Sequence, residues 1–76
     1  MKELLTYVAQ NLVDNPDQVS VSEYDSDGET TLELRVASED MGKVIGRQGR
    51  IAKWIRVLMR SVGQRKGTRV SVEITD

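Results

Sequence analysis

Hydrophobic residues recur at helical spacing in some parts of this chain and alternate with polar residues in others. In residues 2–14 the apolar positions fall three or four apart, which predicts an amphipathic helix. They are Leu4, Leu5, Val8, Leu12 and Val13. Asn15-Pro16 is predicted to end this helix, because proline disfavours the helical conformation in the residue before it.

Residues 18–24 and 30–36 alternate between apolar and polar side chains, which predicts two half-buried strands. One face of the pair is predicted to carry Val19, Val21, Leu32, Leu34 and Val36. The DSDGE stretch between them contains Asp27-Gly28, a favoured turn of a β-hairpin. It also resembles the start of a calcium loop, but the later ligands of that pattern are missing, so we interpret it as a turn.

Helical spacing returns after Ser38, which is predicted to cap a short helix over residues 39–45. Glu39 and Asp40 then fall in its first turn, where the helix dipole favours acidic side chains. A longer helix is predicted from residue 50 to about residue 62, with Gly63 ending it and QRKG following as a basic loop. Residues 70–74 alternate again and predict a last strand.

The element order is therefore α-β-β-α-α-β, which predicts an α+β fold. The first two strands form an antiparallel hairpin, and the crossover through two helices returns the third strand parallel to the second. We expect a mixed three-stranded sheet with three helices on one face. The length of 76 residues is sufficient for a single domain, residues 1–76.

Composition argues for a binding module rather than an enzyme. The chain has neither histidine nor cysteine, so the commonest general base, metal ligand and thiol nucleophile are all absent. No catalytic residue, metal site or cofactor is predicted. No apolar run approaches the ~20 residues that span a bilayer, and the N-terminus does not resemble a signal peptide. We therefore expect a cytoplasmic protein without a membrane partner.

Charge is distributed unevenly along the chain. Residues 41–69 contain nine basic residues and no acidic one, whereas the rest of the chain contains two basic residues and all twelve acidic ones. The nine are Lys43, Arg47, Arg50, Lys53, Arg56, Arg60, Arg65, Lys66 and Arg69. Such a segregated basic segment predicts a surface that binds a polyanion.

Within that segment, VIGRQGRIAKWI places two glycines three residues apart, between two predicted helices. Gly46 suits a left-handed helix end, and Gly49 has no Cβ to hold a ligand away from the backbone. The N–H groups at the start of the Arg50 helix add an anion site. A P-loop or dinucleotide fingerprint would need a different spacing, which argues against nucleotide hydrolysis.

Ile45-Gly46-Arg47-Gln48-Gly49 followed by Ile55 resembles the Ile-Gly-x-x-Gly core of a KH domain, and the element order resembles the type II KH fold. The segments MKELLTYVAQNLVDNP, EDMGKVIGRQGRIAKWIR and RVSVEITD are similar to the bacterial single-KH proteins of the KhpA family over essentially the whole chain. The resemblance implies that a GXXG loop clamps four nucleotides of backbone. The implied RNA-binding residues are Lys43, Ile45, Gly46, Arg47, Gln48, Gly49, Arg50 and Lys53.

The resemblance further implies single-stranded RNA as ligand, with low sequence specificity, and a role as an RNA chaperone or post-transcriptional regulator linked to cell-envelope growth and cell shape. The bases would lie in a shallow groove between the two helices and the edge of the strand over residues 30–36. Gln48 would either donate to a phosphate or only accommodate the turn. Implied protein partners are a second copy, forming a homodimer, and a larger KH-containing protein, KhpB.

Two alternatives stay open at this point. The basic helix would suit an acidic protein partner, which would make the chain a protein-interaction module. Single-stranded DNA is a second alternative, because a clamp on the backbone barely senses the 2′-hydroxyl group. Trp54 lies beside the apolar stripe of its helix, and we interpret it as core margin or subunit contact rather than a platform for base stacking.

Overall fold

The computed structural model describes all 76 residues and confirms the predicted α+β order. Its elements are α1 (Lys2–Gln10), β1 (Ser20–Ser26), β2 (Glu29–Arg35), α2 (Met41–Ile45), α3 (Arg50–Lys66) and β3 (Arg69–Thr75). Short 3₁₀ turns occupy Pro16–Gln18, Ser38–Asp40 and Arg47–Gly49. None of the helices has the length and apolar content needed to cross a membrane.

The three strands form one mixed sheet in the order β1-β2-β3, so β2 is the central strand. β1 pairs antiparallel with β2 through a two-residue turn at Asp27 and Gly28, both of which have positive φ. That conformation is the one a tight hairpin turn requires, and it confirms the turn predicted from the sequence. β3 runs parallel to β2, as the crossover rule predicts.

The helices pack on one face of the sheet and enclose a small apolar core. Its largest fully buried apolar side chains are Leu5, Leu32, Leu34, Val44, Ile55 and Met59. They come from all three helices and from the central strand, at the positions where helical and alternating periodicity coincide. The other sheet face is largely polar and exposed, as expected from the second half of the alternating pattern.

α1 is shorter than the sequence pattern predicted. It ends at Gln10 rather than near Asp14, and the Asn11 side chain folds back to donate to the Tyr7 carbonyl at 2.8 Å. Leu12 remains half-buried, but it does so from a turn. The apolar pattern thus predicted the partial burial of Leu12, but it included Leu4, which is 38% exposed, and it overestimated the length of the helix.

The predicted cap at Ser38 is wrong. No side chain caps the turn or the helix that follows it, and Asp40 is buried with 1% of its surface exposed. The Asp40 carboxylate accepts hydrogen bonds from the backbone N–H groups of Asp14 and Asn15 at 3.2 and 3.0 Å, and from the Asn15 side chain at 3.0 Å. Asp40 therefore joins the turn after α1 to the start of α2 and does not serve its own helix.

Gly63 does not end the long helix, which continues through the predicted basic loop to Lys66 and is closed by Gly67. Gly63 is buried, and the returning chain packs directly on its backbone. A Cβ built there would lie 2.8 Å from the Thr68 carbonyl oxygen and still closer to a methyl group of Val70. Glycine is required here because β3 approaches the helix backbone closely. In the sequence, a glycine with this role looks the same as a glycine that ends a helix.

This packing predicts opposite effects for two helical glycines. Gly63→Ala should lower the free energy of unfolding by about 1–3 kcal/mol, because overpacking against a backbone carbonyl outweighs the better helix propensity of alanine. Gly42→Ala in α2 meets nothing within 4 Å and should raise it by about 0.5–1 kcal/mol. Urea denaturation of both variants measures the difference. A stabilised Gly63→Ala variant would contradict the packing.

Candidate functional site

The loop between α2 and α3 is a single 3₁₀ turn, Arg47–Gly49, that links two separate helices. Gly46 has φ 76° and ψ 174°, and Gly49 has φ 73° and ψ 16°. Between them Gln48 takes the left-handed conformation at φ 57° and ψ 25°. The positive φ expected at Gly46 is confirmed, but its ψ is extended rather than left-handed helical, so the chain leaves α2 sharply instead of curling past its end.

The two glycines are not equivalent. Gly46 occupies a backbone region that only glycine populates readily, and a Cβ there would lie 2.6 Å from Cγ1 of Ile51. Gly49 adopts a left-handed conformation that other residues tolerate at some cost, and a Cβ there would meet nothing within 4 Å. The first glycine is therefore required for both backbone conformation and packing, and the second for backbone conformation alone.

We expect Gly46→Ala to lower the free energy of unfolding by about 3 kcal/mol, from backbone strain together with displacement of Ile51. Gly49→Ala should cost only about 1 kcal/mol. Urea denaturation with a common slope tests this ranking. Equal losses in the two variants would show that the contact with Ile51 does not limit the loop.

The basic side chains around the loop are almost free of counter-charges. Of the nine basic residues in 41–69, only Lys43 has a carboxylate within 4.0 Å, namely Asp14 at 3.2 Å. Arg47, Gln48, Arg50 and Lys53 are all exposed. The structure thus places four of the predicted cations at one corner, three of them without an acidic neighbour, where they present positive charge to solvent.

Two backbone N–H groups at this corner donate to carbonyl oxygens within the 3₁₀ turn. The Gly49 N–H donates to the Gly46 carbonyl at 3.2 Å, and the Arg50 N–H donates to the Arg47 carbonyl. The Arg50 N–H is therefore not available to an anion, contrary to the expectation from the sequence. Exposed cationic side chains, more than bare helix N–H groups, make this corner electropositive.

The predicted groove beside the strand over residues 30–36 is misplaced. β2 is the central strand and is paired on both sides, so it has no open edge. The open edge beside α3 belongs to β3, and Arg56 Nε donates to the Val72 carbonyl there at 3.4 Å. Ile45 and Ile51 are both half-buried beneath the loop, as side chains shared between the core and a groove floor would be.

Sequence reasoning named Arg56 only as one of the nine basic residues, outside the predicted site, and did not name Asp14. Arg56 follows Lys53 by three residues, which places both on one face of α3, so helical spacing offered a usable signal. Asp14 lies 29 positions before Lys43, and nothing local relates the two. Only the packing of the turn after α1 against α2 brings this carboxylate to the lysine.

An exposed apolar strip on α3 lies apart from the loop. We define it by Trp54, Val57 and Leu58, of which Trp54 is 60% exposed and Val57 47% exposed, while Leu58 is half-buried and packs against the core. Trp54 therefore lies outside the core, and the interpretation of core margin is wrong. Leu58 also borders a cavity of about 340 Å³ with Val62 and Arg65 on the same helix.

This chain is similar to a known protein family and to its members over nearly the whole sequence. The sequence profile of the family described as "KhpA/KhpB, KH domain" matches residues 2–74. RNA-binding protein KhpA of Clostridium acetobutylicum is 54% identical over 74 residues, covering 97% of this chain and 99% of that protein. Its counterpart in Treponema pallidum is 47% identical over 75 residues, covering 99% and 94%. These matches confirm the resemblance seen in the sequence, and such relatives are named for RNA binding and not for an enzymatic activity.

A solved structure gives the same fold. Aquifex aeolicus Era, crystallised with GDP and AlF4−, superimposes with a TM-score of 0.68 over 97% of this chain, at 20% sequence identity. This chain spans only 29% of that protein, so the likeness concerns the fold of one part of Era.

Proposed function

We propose that this chain, which belongs to the KhpA/KhpB family of KH domains, binds single-stranded RNA through the loop Gly46-Arg47-Gln48-Gly49. The observation that supports this most is the exposed loop surrounded by basic side chains, of which Arg47, Arg50 and Lys53 have no carboxylate within 4.0 Å. The names of its relatives as RNA-binding proteins point to the same ligand. Residues 1–76 would act as one KH unit.

In this proposal the loop binds phosphates and makes few contacts with the bases. Arg47, Arg50 and Lys53 neutralise the backbone, and Lys43 joins them after leaving Asp14. Gln48 sits in a left-handed turn and either donates to a phosphate of the RNA or only accommodates the turn, and Ile45 forms part of the groove floor. Since charge contacts are indifferent to base identity, sequence specificity is low, as expected of an RNA chaperone or a post-transcriptional regulator.

The proposal predicts a salt dependence. A clamp on four nucleotides should give a slope of log K against log salt of roughly −3, because each phosphate contact on a single strand contributes about 0.7. Fluorescence anisotropy of a labelled oligonucleotide at several salt concentrations measures the slope. A slope near zero would exclude a phosphate clamp.

RNA is proposed over DNA, and the same assay compares them. A matched DNA oligonucleotide should bind with similar or slightly lower affinity, because the loop contacts phosphates that both polymers share. Clear preference for DNA at equal length and salt would reassign the ligand. An acidic peptide that binds as tightly as RNA, and that RNA does not displace, would favour a protein-interaction module instead.

We also propose a homodimer and a complex with a larger KH-containing protein, KhpB, both in the cytoplasm. The exposed apolar strip, in which Trp54 and Val57 are the exposed members, supports a protein contact on the side of α3 away from β3, because large apolar side chains at a surface favour association. Two linked KH units would bind one RNA with higher avidity than either alone.

A further inference from the structure

One acidic side chain reaches the basic corner beside the glycine loop. The Asp14 carboxylate lies 3.2 Å from Nζ of Lys43. No other basic residue in 41–69 has a carboxylate within 4.0 Å. Asp14 and Lys43 are both exposed, so burial does not force the two side chains together. The pair therefore restrains one cation of the predicted site and leaves the others without an acidic neighbour.

The backbone of Asp14 is anchored next to α2. Its N–H donates to the buried Asp40 carboxylate at 3.2 Å, and the N–H of Asn15 donates to the same carboxylate at 3.0 Å. Asp40 lies immediately before α2, which carries Lys43 in its last turn. These bonds fix the turn after α1 against the helix that leads into the glycine loop. Little conformational entropy is therefore lost when the Asp14 carboxylate stays beside Lys43.

A phosphate that binds Lys43 meets this carboxylate, because both anions need the same ammonium group. If Lys43 contacts both, Asp14 and the phosphate repel each other at short range. If Lys43 leaves Asp14, the ion pair is lost. The measured strength of exposed ion pairs corresponds to about two- to fivefold in affinity. By either route, the presence of Asp14 makes the contact between Lys43 and a phosphate less favourable.

We infer that Asp14 lowers the affinity of this chain for RNA by competing with phosphate for Lys43. This inference rests on the proposed function. Asp14 is a positioning residue in this account, because it acts on the RNA only through Lys43. Affinity changes within one interface lie mostly in the dissociation rate, so the competition shortens the time that RNA stays bound. Short residence suits the role of RNA chaperone proposed above.

The test is a double-mutant cycle on the full chain, with Asp14→Asn, Lys43→Ala and the double variant. Anisotropy with a labelled oligouridylate of four nucleotides gives the affinities. The charge-matched control is Asp17→Asn, which also removes one negative charge between α1 and β1, from an exposed residue without an ion pair. Circular dichroism verifies that each variant is folded. The ¹³C resonance of the Asp14 carboxyl group reports whether RNA breaks the pair.

We expect Asp14→Asn to raise the affinity for the oligonucleotide by about two- to fivefold. Asp17→Asn should raise it by less than about 1.5-fold at physiological salt, because only the screened effect of net charge remains. In the Lys43→Ala background, Asp14→Asn should have no more effect than this control. Saturating RNA should shift the Asp14 carboxyl resonance in the wild type and leave it nearly unchanged in Lys43→Ala.

Three outcomes would overturn the inference. These are an Asp14→Asn affinity no higher than that of Asp17→Asn, a gain that persists without Lys43, or an Asp14 carboxyl resonance that RNA does not shift in the wild type. In all three the wild type would still bind the oligonucleotide, so the proposed function would stand. A wild-type protein that does not bind the oligonucleotide would instead overturn the proposed function, and this inference with it.

Discussion

Replacing Arg47 and Gln48 with aspartate should lower the affinity for single-stranded RNA by about 100-fold without unfolding the protein. The change removes one positive charge and adds two negative ones at the point where phosphates would lie. Three unit charges at about 1 kcal/mol each correspond to about two orders of magnitude in affinity. Both side chains are exposed, and aspartate tolerates the left-handed conformation of Gln48. Anisotropy with a four-nucleotide RNA measures the loss.

The matched control changes the same charge elsewhere. Lys2→Asp/Gln10→Asp also removes one positive charge and adds two negative ones, on exposed positions of α1. It should reduce affinity only by the general effect of net charge, which is small at physiological salt. If the loop variant remains folded and loses no more affinity than this control, the glycine loop is not the RNA site.

Asp40→Ala should lower Tm by about 10 °C or more, the largest effect on stability that we expect from a polar side chain. The buried carboxylate satisfies two backbone N–H groups and one side-chain amide, and alanine would leave all three without that acceptor. In a domain of this size a modest loss of free energy moves Tm by several degrees. Asp40→Asn keeps the shape but not the acceptor pattern, so it should fall between alanine and the wild type.

The same carboxyl gives the stability a pH dependence. Burial raises the pKa of Asp40, but hydrogen bonds from Asn15 and from the backbone N–H groups of Asp14 and Asn15, with Lys43 nearby, together hold it below the ordinary value of 3.8. A carboxyl whose pKa is lower in the folded state stabilises the fold above its unfolded pKa. This contribution is therefore complete above about pH 4 and is lost as the pH falls through the folded pKa.

Thermal unfolding between pH 7 and pH 2 tests this assignment. Asp40→Asn should flatten the fall in Tm at low pH relative to the wild type. Glu3 is the control, because its pKa is also lowered, by a backbone hydrogen bond and the N-terminal amine, but its side chain is exposed. Glu3→Gln should leave Tm and its acid dependence nearly unchanged. An Asp40→Asn profile parallel to the wild type would exclude Asp40 as the source.

Much of the fold could be predicted because its signals are local. Apolar spacing located every helix and strand to within a few residues, and Asp27-Gly28 specified the hairpin turn through backbone preferences of two residues. The glycine pair and the acid-free stretch of 29 residues located the basic corner in the same way. The predicted site residues lie around that corner, and whether they contact RNA remains a prediction.

The errors concern residues whose role depends on distant partners. Asp40 is an acidic residue at a position typical of a helix start, yet its hydrogen-bond partners lie 25 and 26 positions earlier. Gly63 is of the residue type that often ends a helix, yet it lies inside α3 and allows β3 to pack closely against it. The strand edge beside α3 was assigned to β2, because strand order in the sheet does not follow from the alternating pattern of each strand.

The sequence by itself determined the element order, the hairpin turn and the segregation of charge, since periodicity and turn preferences act over a few neighbouring residues. Only the tertiary structure decided that Asp40 joins the turn after α1 to the start of α2, that Asp14 pairs with Lys43, and that Arg56 of α3 reaches the open edge of β3. These features depend on which surfaces meet when the helices pack on the sheet. Burial of the shared apolar core determines which surfaces come into contact, and no local sequence pattern predicts those contacts.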